Sequence, residues 1–502
     1  MRPLEIVLAG MLFSNWGALL LPTRIRSRAL GILPIFTAAA GIAQIAVERY
    51  RWQMTPMYGL AVLILLWRIG KGFNPNGVIH FPGSASRGKV AALLVLSLPI
   101  LLFAVVLPAL FPIFEMPLPG GPFEIASIEF EWIDKSRKET FSSEPEDRRD
   151  LMVRAWYPAD LPPTAKPVPF WPDAATFGPL LARKLGMPGF LFNHLSLVQS
   201  HTFRDVPLSA VQTRYPVVVF SHAYSPGFAN QNLVQMEELA SHGYVVLSIA
   251  HPYEGVAVQY PDGRIAATSE PRYREVITDG VVKAVPILRQ CVAAKDPAEK
   301  EQLFRQYLDA NPQAQESLRV WTEDTQFVFD QLERIDQGEI SCPFTKRIDL
   351  SNVGVFGHSM GGAVAGEVCS LDERCKAAVN LDGIQLVAVI DRPIRQPFLM
   401  MYSTINAGQN DPVYDRGRNI RYEVIINDTN HNDFCDLGLI SPLFRLTGVT
   451  GPRDPGSTQN IMNNYIVAFF DQHLKRIDSP LLNRAPFTDS EVVFRAIAPI
   501  TP

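Results

Sequence analysis

A set of membrane-spanning helices followed by an open, mostly parallel α/β sheet is the fold class predicted by this 502-residue sequence. Three observations carry the prediction. Charge-free apolar stretches crowd the first 115 positions. After them, short apolar runs alternate with stretches of helical period. A glycine-crowded turn, GHSMGG at 357–362, then joins one such run to a helix.

The N-terminal elements come first. Residues 6–22, 29–47 and 90–114 carry no charge and approach or exceed the length needed to cross a bilayer. Residues 52–67 form a shorter, weaker fourth stretch. A signal peptide would account for only one of the four, so 1–115 is expected to be a membrane domain of about four helices. Its basic residues are divided unevenly. Arg24, Arg26, Arg28, Arg68, Lys71, Arg87 and Lys89 fall on one side of the expected spans, and Arg2, Arg49 and Arg51 on the other. That bias predicts a multi-pass protein of the cell (inner) membrane, with everything after Phe114 outside the cytoplasm. If 52–67 does not cross, the parity inverts.

A Pro- and Gly-marked linker is expected at 116–125, and an α/β domain at 126–477. IEFEWI (128–133) and LMVRAWY (151–157) alternate as half-buried strands do. YPVVVF (215–220) and YVVLSIA (244–250) are continuous apolar runs, as in parallel strands covered on both faces. The helical NQNLVQMEELASHG lies between them. VGVFG, KAAVNL, PFLMMYS and YEVIIN continue the strand series, and NIMNNYIVAFFDQHL closes it as a helix. The charged helical sequence at about 262–335 exceeds a plain crossover and reads as a helical cap insertion. Residues 478–502 read as a surface tail.

Composition narrows the function. A net charge of −4 and a pI near 6.2 give no basis for a nucleic-acid partner. The five cysteines show no CxxC and no zinc pattern, so no metal or cofactor is expected. Cys369 and Cys375 pair only if the domain is exported, and free buried thiols are the alternative.

The turn at 357–362 is where chemistry is expected. Gly357 and Gly361 leave room for a tight strand-to-helix bend that presents the Ser359 hydroxyl. The Met360 N–H at the start of the following helix is positioned to bind an oxyanion. A serine needs a base. Of the histidines at or beyond the turn, His358 is fixed inside it and His473 lies within the closing helix. His431, in the loop after YEVIIN, remains. Asp382, ending KAAVNLD, and Asp411, after the next strand, both qualify as the acid, and spacing does not choose between them. A second oxyanion donor is expected from the loop after YPVVVF, which holds His222, Ala223 and Tyr224.

YPVVVFSHAYS, LASHGYVVLSIAH, GHSMGG, VNLDG and HNDFCD occur in one order over roughly residues 125–475. Together they resemble the platelet-activating factor acetylhydrolases, plasma and intracellular type-two, of the α/β-hydrolase fold. The resemblance implies Ser359 as nucleophile, Asp382 as acid, His431 as base, and the N–H groups of Tyr224 and Met360 as oxyanion hole. His222-Ala223 departs from the His-Gly usual in that family, and its best-known members have no counterpart to the membrane region. The turn also resembles cutinase-like polyesterases, whose acid lies nearer Asp411. The expected function is thus a membrane-anchored serine ester hydrolase acting on small-molecule esters or lipids, among them short-chain or oxidised phospholipids. A cutinase-like esterase, an acyltransferase and a non-catalytic membrane sensor are the alternatives.

Overall fold

The computed structural model describes residues 1–70, 87–172, 174–386, 390–483, 487–488 and 490–498, and divides into two compact units. Lys71, counted above in the charge bias, lies outside the described residues.

The smaller unit contains α1 (Pro3–Ala18), α2 (Thr23–Glu48), α3 (Thr55–Gly70) and α4 (Arg87–Leu110). Leu8, Leu12, Met54, Met57, Leu101 and Ala104 form its core. Ile35, Phe36, Ile42, Leu63, Leu96 and Phe103 point outward, an apolar exterior of the kind that marks an interaction surface. Of the four expected spans, two described helices are long and apolar enough to cross a membrane, Arg28–Glu48 and Ala91–Leu110. The 16-residue α1 and α3 are shorter than that measure.

The larger unit is built on one sheet. Its strands are β1 (Glu124–Lys138), β2 (Arg148–Ala159), β3 (Pro167–Pro169), β4 (Gln199–Arg204), β5 (Tyr215–Ser221) and β6 (Val245–Ala250). After a short hairpin, β7 (Ala257–Gln259) and β8 (Ile265–Ala267), come β9 (Ile348–His358), β10 (Cys375–Leu381), β11 (Phe398–Ser403), β12 (Arg421–Ile426), β13 (Phe487–Thr488) and β14 (Val492–Ile497). The order across the main sheet is β13-β14-β12-β11-β10-β9-β5-β6-β2-β1-β4-β3. β6, β5, β9, β10, β11 and β12 are parallel neighbours, and β2 and β14 flank them antiparallel. Every residue of β5, β6 and β11 is buried, which is why these strands read as unbroken apolar runs.

The helices of this unit include α5 (Ala174–Lys184), α6 (Leu233–Ser241), α7 (Glu270–Ile277), α8 (Val285–Ala293), α9 (Pro297–Asp309), α10 (Pro312–Gln337) and α11 (Met360–Leu371), with Pro455–Leu474 closing the fold. β5 leads through α6 to β6 on one side, and β9 leads through α11 to β10 on the other. Right-handed crossovers in opposite directions put α6 and α11 on opposite faces. The connection therefore reverses between adjacent β5 and β9, and a crevice opens beyond their carboxyl ends. This is an α/β-hydrolase fold.

Two stretches differ from the sequence expectation. Within 262–335, α10 sends Trp321, Val328, Phe329 and Leu332 into the main core and leads into β9, so it serves as a crossover helix. Its charged residues lie on the solvent face of an amphipathic helix, and they masked that role. Residues 478–502, expected as a tail, supply β14, which pairs with β12 and buries Phe494 completely. The expected linker is also pinned: the Gly120 and Gly121 N–H groups donate to Glu238 Oε2 and Ser241 Oγ of α6, both at 3.0 Å.

Candidate active site

β9 ends at His358 and α11 begins at Met360, so Ser359 alone makes the turn, at φ 57° and ψ −117°. A left-handed φ is costly for a residue with a Cβ and persists only where its surroundings enforce it. Here the enforcement comes from close backbone packing. A Cβ on Gly361 would stand 1.8 Å from the Ser221 carbonyl oxygen, and one on Gly357 would stand 2.2 Å from the Gly361 carbonyl carbon. Only glycine lets α11 approach β5 this closely. The Gly361 N–H also donates to the His222 carbonyl at 3.1 Å.

His431 opens a short 3₁₀ turn, His431–Phe434, after β12. Asn430 caps the turn, accepting from the Asn432 N–H, while Asp433 accepts from the N–H groups of Asn430 and Gly451, both at 2.7 Å. The cap aims the His431 ring at Ser359: its Nε2 lies 2.9 Å from Ser359 Oγ, and its Nδ1 lies 2.8 Å from Asp382 Oδ2.

Asp382 is wholly buried just after β10, with φ 56°. Three further donors hold its carboxylate: the Ser403 N–H at 2.7 Å, the Ser403 hydroxyl at 3.0 Å and Asn406 Nδ2 at 2.6 Å. Because a carboxylate only accepts, His431 carries its proton on Nδ1 and leaves Nε2 free to take one from Ser359. Asp411 is elsewhere. It pairs with Lys300 of α9 at 2.5 Å, and its side chain is 36 % exposed. Sequence reasoning missed Ser403 and Asn406. The one signal for Ser403 was a hydroxyl at the end of an otherwise apolar strand.

Met360 is the first residue of α11, so its N–H has no intrahelical acceptor. The Tyr224 N–H meets no acceptor among the described residues. Its orientation follows from residue 223. His222 Nε2 accepts from the His251 N–H at 3.1 Å, which leaves the His222 proton on Nδ1, where it donates to the Ala223 carbonyl at 2.7 Å. In a trans peptide the Tyr224 N–H points opposite to that carbonyl. His222 thus turns the Tyr224 N–H outward.

Burial holds His222 at about 3 and His251 at about 4, so both are neutral near pH 7. His251 belongs to a second, fully enclosed series, with its Nε2 3.2 Å from Ser221 Oγ and its Nδ1 2.8 Å from Asp324 Oδ2. Arg149 and Arg137 also donate to Asp324. With two guanidinium groups on the acid and the series buried, His251 anchors the loop after β5 through His222. His358 is buried and hydrogen-bonded at both ring nitrogens, to Gln231 and to the His431 carbonyl. His473 is half-buried against Tyr422 and Phe469. A cavity of about 320 Å³ is lined by the stacked rings of Trp171 and Phe228 and by the β7–β8 hairpin. Cys369 and Cys375 form a disulfide between α11 and β10.

Comparison with known proteins agrees with this fold. A ferulic acid esterase structure from Streptomyces cinnamoneus is similar in fold, with a TM-score of 0.56 at 24 % identity, covering 76 % of this chain and 99 % of that one. Platelet-activating factor acetylhydrolase of Gallus gallus is 26 % identical over 288 residues, which make up 52 % of this chain and 62 % of the relative. The Cavia porcellus protein of that name is 23 % identical over 308 residues, covering 59 % of this chain and 66 % of the relative. The chain therefore spans under two thirds of the length of either relative. The model of the family described as platelet-activating factor acetylhydrolase, isoform II, matches residues 138–481, well over half of the 502 residues, and the chain belongs to that family.

Proposed function

We propose that this protein is a serine carboxylic-ester hydrolase held at a membrane, acting on short acyl or oxidised acyl esters of phospholipids or similar small molecules. The observation that carries the reading is the hydrogen-bonded series Ser359, His431, Asp382 at 2.9 and 2.8 Å, at the reversal point of the sheet. In this mechanism Ser359 Oγ attacks the acyl carbonyl while its proton passes to His431 Nε2. Asp382 stabilises the imidazolium, and the N–H groups of Tyr224 and Met360 receive the oxyanion. His431 returns the proton to the leaving alkoxide. Water, activated by the same ring, then releases the acyl group from Ser359.

Membrane attachment through α2 and α4 is supported by their length and mean hydropathies of 1.9 and 2.8 over the apolar segments. At 16 residues, or about 24 Å, α1 and α3 need local thinning or flanking polar residues to cross a core of about 30 Å. The Arg and Lys distribution supports a hydrolase unit outside the cytoplasm. The Cys369–Cys375 disulfide fits an oxidising compartment.

The test is a panel of p-nitrophenyl esters and short-chain, oxidised and long-chain phospholipids, run on detergent-solubilised wild type and Ser359→Ala. The proposal expects turnover of the short and oxidised acyl esters by the wild type, and loss of both turnover and fluorophosphonate labelling in the variant. Full labelling of Ser359→Ala would remove Ser359 from the mechanism.

A further inference from the structure

Two parts of the proposed machinery come from distant segments of the chain: the oxyanion loop after β5 and the histidine loop after β12. A buried relay of side-chain hydrogen bonds joins them. The Ala223 N–H donates to Gln231 Oε1 at 3.1 Å. An N–H can only donate, so this contact fixes the Gln231 amide with its oxygen toward Ala223 and its nitrogen away. That nitrogen donates to His358 Nδ1 at 2.9 Å and to Asn232 Oδ1 at 3.1 Å. His358 must therefore carry its proton on Nε2, which donates to the His431 carbonyl at 3.0 Å. Each step dictates the direction of the next.

We propose that Gln231 and His358 are positioning residues that lock the oxyanion loop and the His431 loop into one geometry. The proposal rests on the serine-hydrolase reading above. Residue 223 is clamped at both ends, its carbonyl by His222 and its N–H by Gln231, so the Tyr224 N–H cannot turn without breaking a buried bond. At the far end, His358 fixes the backbone that carries the His431 ring, whose centroid lies 4.8 Å from its own. Gln231 and His358 are only 5 % and 3 % exposed, so water does not readily replace a lost partner. Burial, and secondarily the neighbouring His431, holds the His358 pKa well below its usual value. The ring is therefore neutral, as accepting from Gln231 while donating to His431 requires. Two parallel ties accompany the relay: the Asp436 N–H to the Gln231 carbonyl at 2.8 Å, and Asn232 Nδ2 to the Phe434 carbonyl at 2.8 Å. They allow the loops to stay folded when the side-chain relay is cut.

The test measures kcat and KM of full-length, detergent-solubilised Gln231→Met, His358→Phe and the double variant on a p-nitrophenyl ester, normalised to fluorophosphonate-labelled sites. Each single variant should lose about ten-fold in kcat with KM held within about two-fold. The double variant should lose no more than the worse single, because both cut the same chain. Independent, multiplying losses, or an unchanged kcat per labelled site, would overturn the proposal. Gln231→Glu supplies a volume-neutral check should an apolar variant fail to fold. Its carboxylate still accepts from Ala223 but donates nothing to His358, so kcat per site should fall there too, and wild-type kcat would refute the relay. The two failures separate cleanly. Labelling retained by Ser359→Ala removes the nucleophile, whereas lost labelling there with full kcat in Gln231→Glu removes only the relay.

Discussion

Replacing Asp382 with Asn changes one atom and sets the reading of the acid at risk. The backbone should tolerate it, because Asn adopts the left-handed φ of 56° found at this position. The side chain has no good orientation. In the wild type, Oδ1 accepts from the Ser403 N–H, while Oδ2 accepts from His431 Nδ1, the Ser403 hydroxyl and Asn406 Nδ2. If the amide oxygen takes the Oδ1 place, the new NH₂ faces Asn406 as donor against donor. It also drives His431 to the tautomer with its proton on Nε2, which cannot accept from Ser359. If the oxygen takes the Oδ2 place, the NH₂ opposes the Ser403 N–H inside a buried site, and the charge that steadies the imidazolium is gone in either case. Loss of the correct tautomer in such a triad costs about 10⁴-fold, or about 5.4 kcal/mol of transition-state stabilisation. Asp411→Asn instead removes a partly exposed pair with Lys300 and should leave kcat/KM within about five-fold. The assay is kcat/KM on a p-nitrophenyl ester with matched thermal melts. A larger loss for Asp411→Asn than for Asp382→Asn would overturn Asp382 as the acid.

Two further outcomes follow from the buried histidines and the apolar helices. His222 and His251 titrate at about 3 and about 4 in the folded protein, against 6.5 as the ordinary value, so the unfolded chain takes up protons first. Their stabilisation is complete above pH 6.5 and is lost as pH falls toward about 4 for His251 and about 3 for His222. Melting temperature should drop across that window, and less steeply in His222→Asn. Glu237, raised to about 7 by burial, acts in the opposite sense as pH rises from 4.5 to 7. The comparison of variant with wild type isolates the histidine, and identical slopes would contradict the assignment. For topology, an alkaline phosphatase fusion after Pro122 should be active and a green fluorescent protein fusion dark. A bright fluorescent fusion with an inactive phosphatase would put the hydrolase unit in the cytoplasm.

The parallel strands were legible because burial on both faces leaves continuous apolar runs, as in β5, β6 and β11. Ser359 was legible because the turn needs glycine at 357 and 361, where a Cβ would overlap backbone atoms. The choice between Asp382 and Asp411 was not legible from spacing, since both follow the carboxyl ends of neighbouring parallel strands. What separates them in space is side-chain company: Ser403 and Asn406 on one, and Lys300, 111 residues away, on the other. β14 is hard to read in the sequence because an antiparallel strand of six residues near the end of the sheet needs only Val492 and Phe494 well buried. Gln231 carried no signal at all. Its importance arises from a partner 127 residues distant.

The covalent intermediate itself gives the sharpest check on Ser359 as the nucleophile. Detergent-solubilised enzyme mixed with p-nitrophenyl acetate and quenched in acid within the first turnover can be digested and mapped by mass spectrometry. One acetyl group is expected, carried by Ser359 in the peptide spanning GHSMGG, and none in Ser359→Ala. Acetyl on another residue during turnover, or turnover that continues in Ser359→Ala, would contradict it.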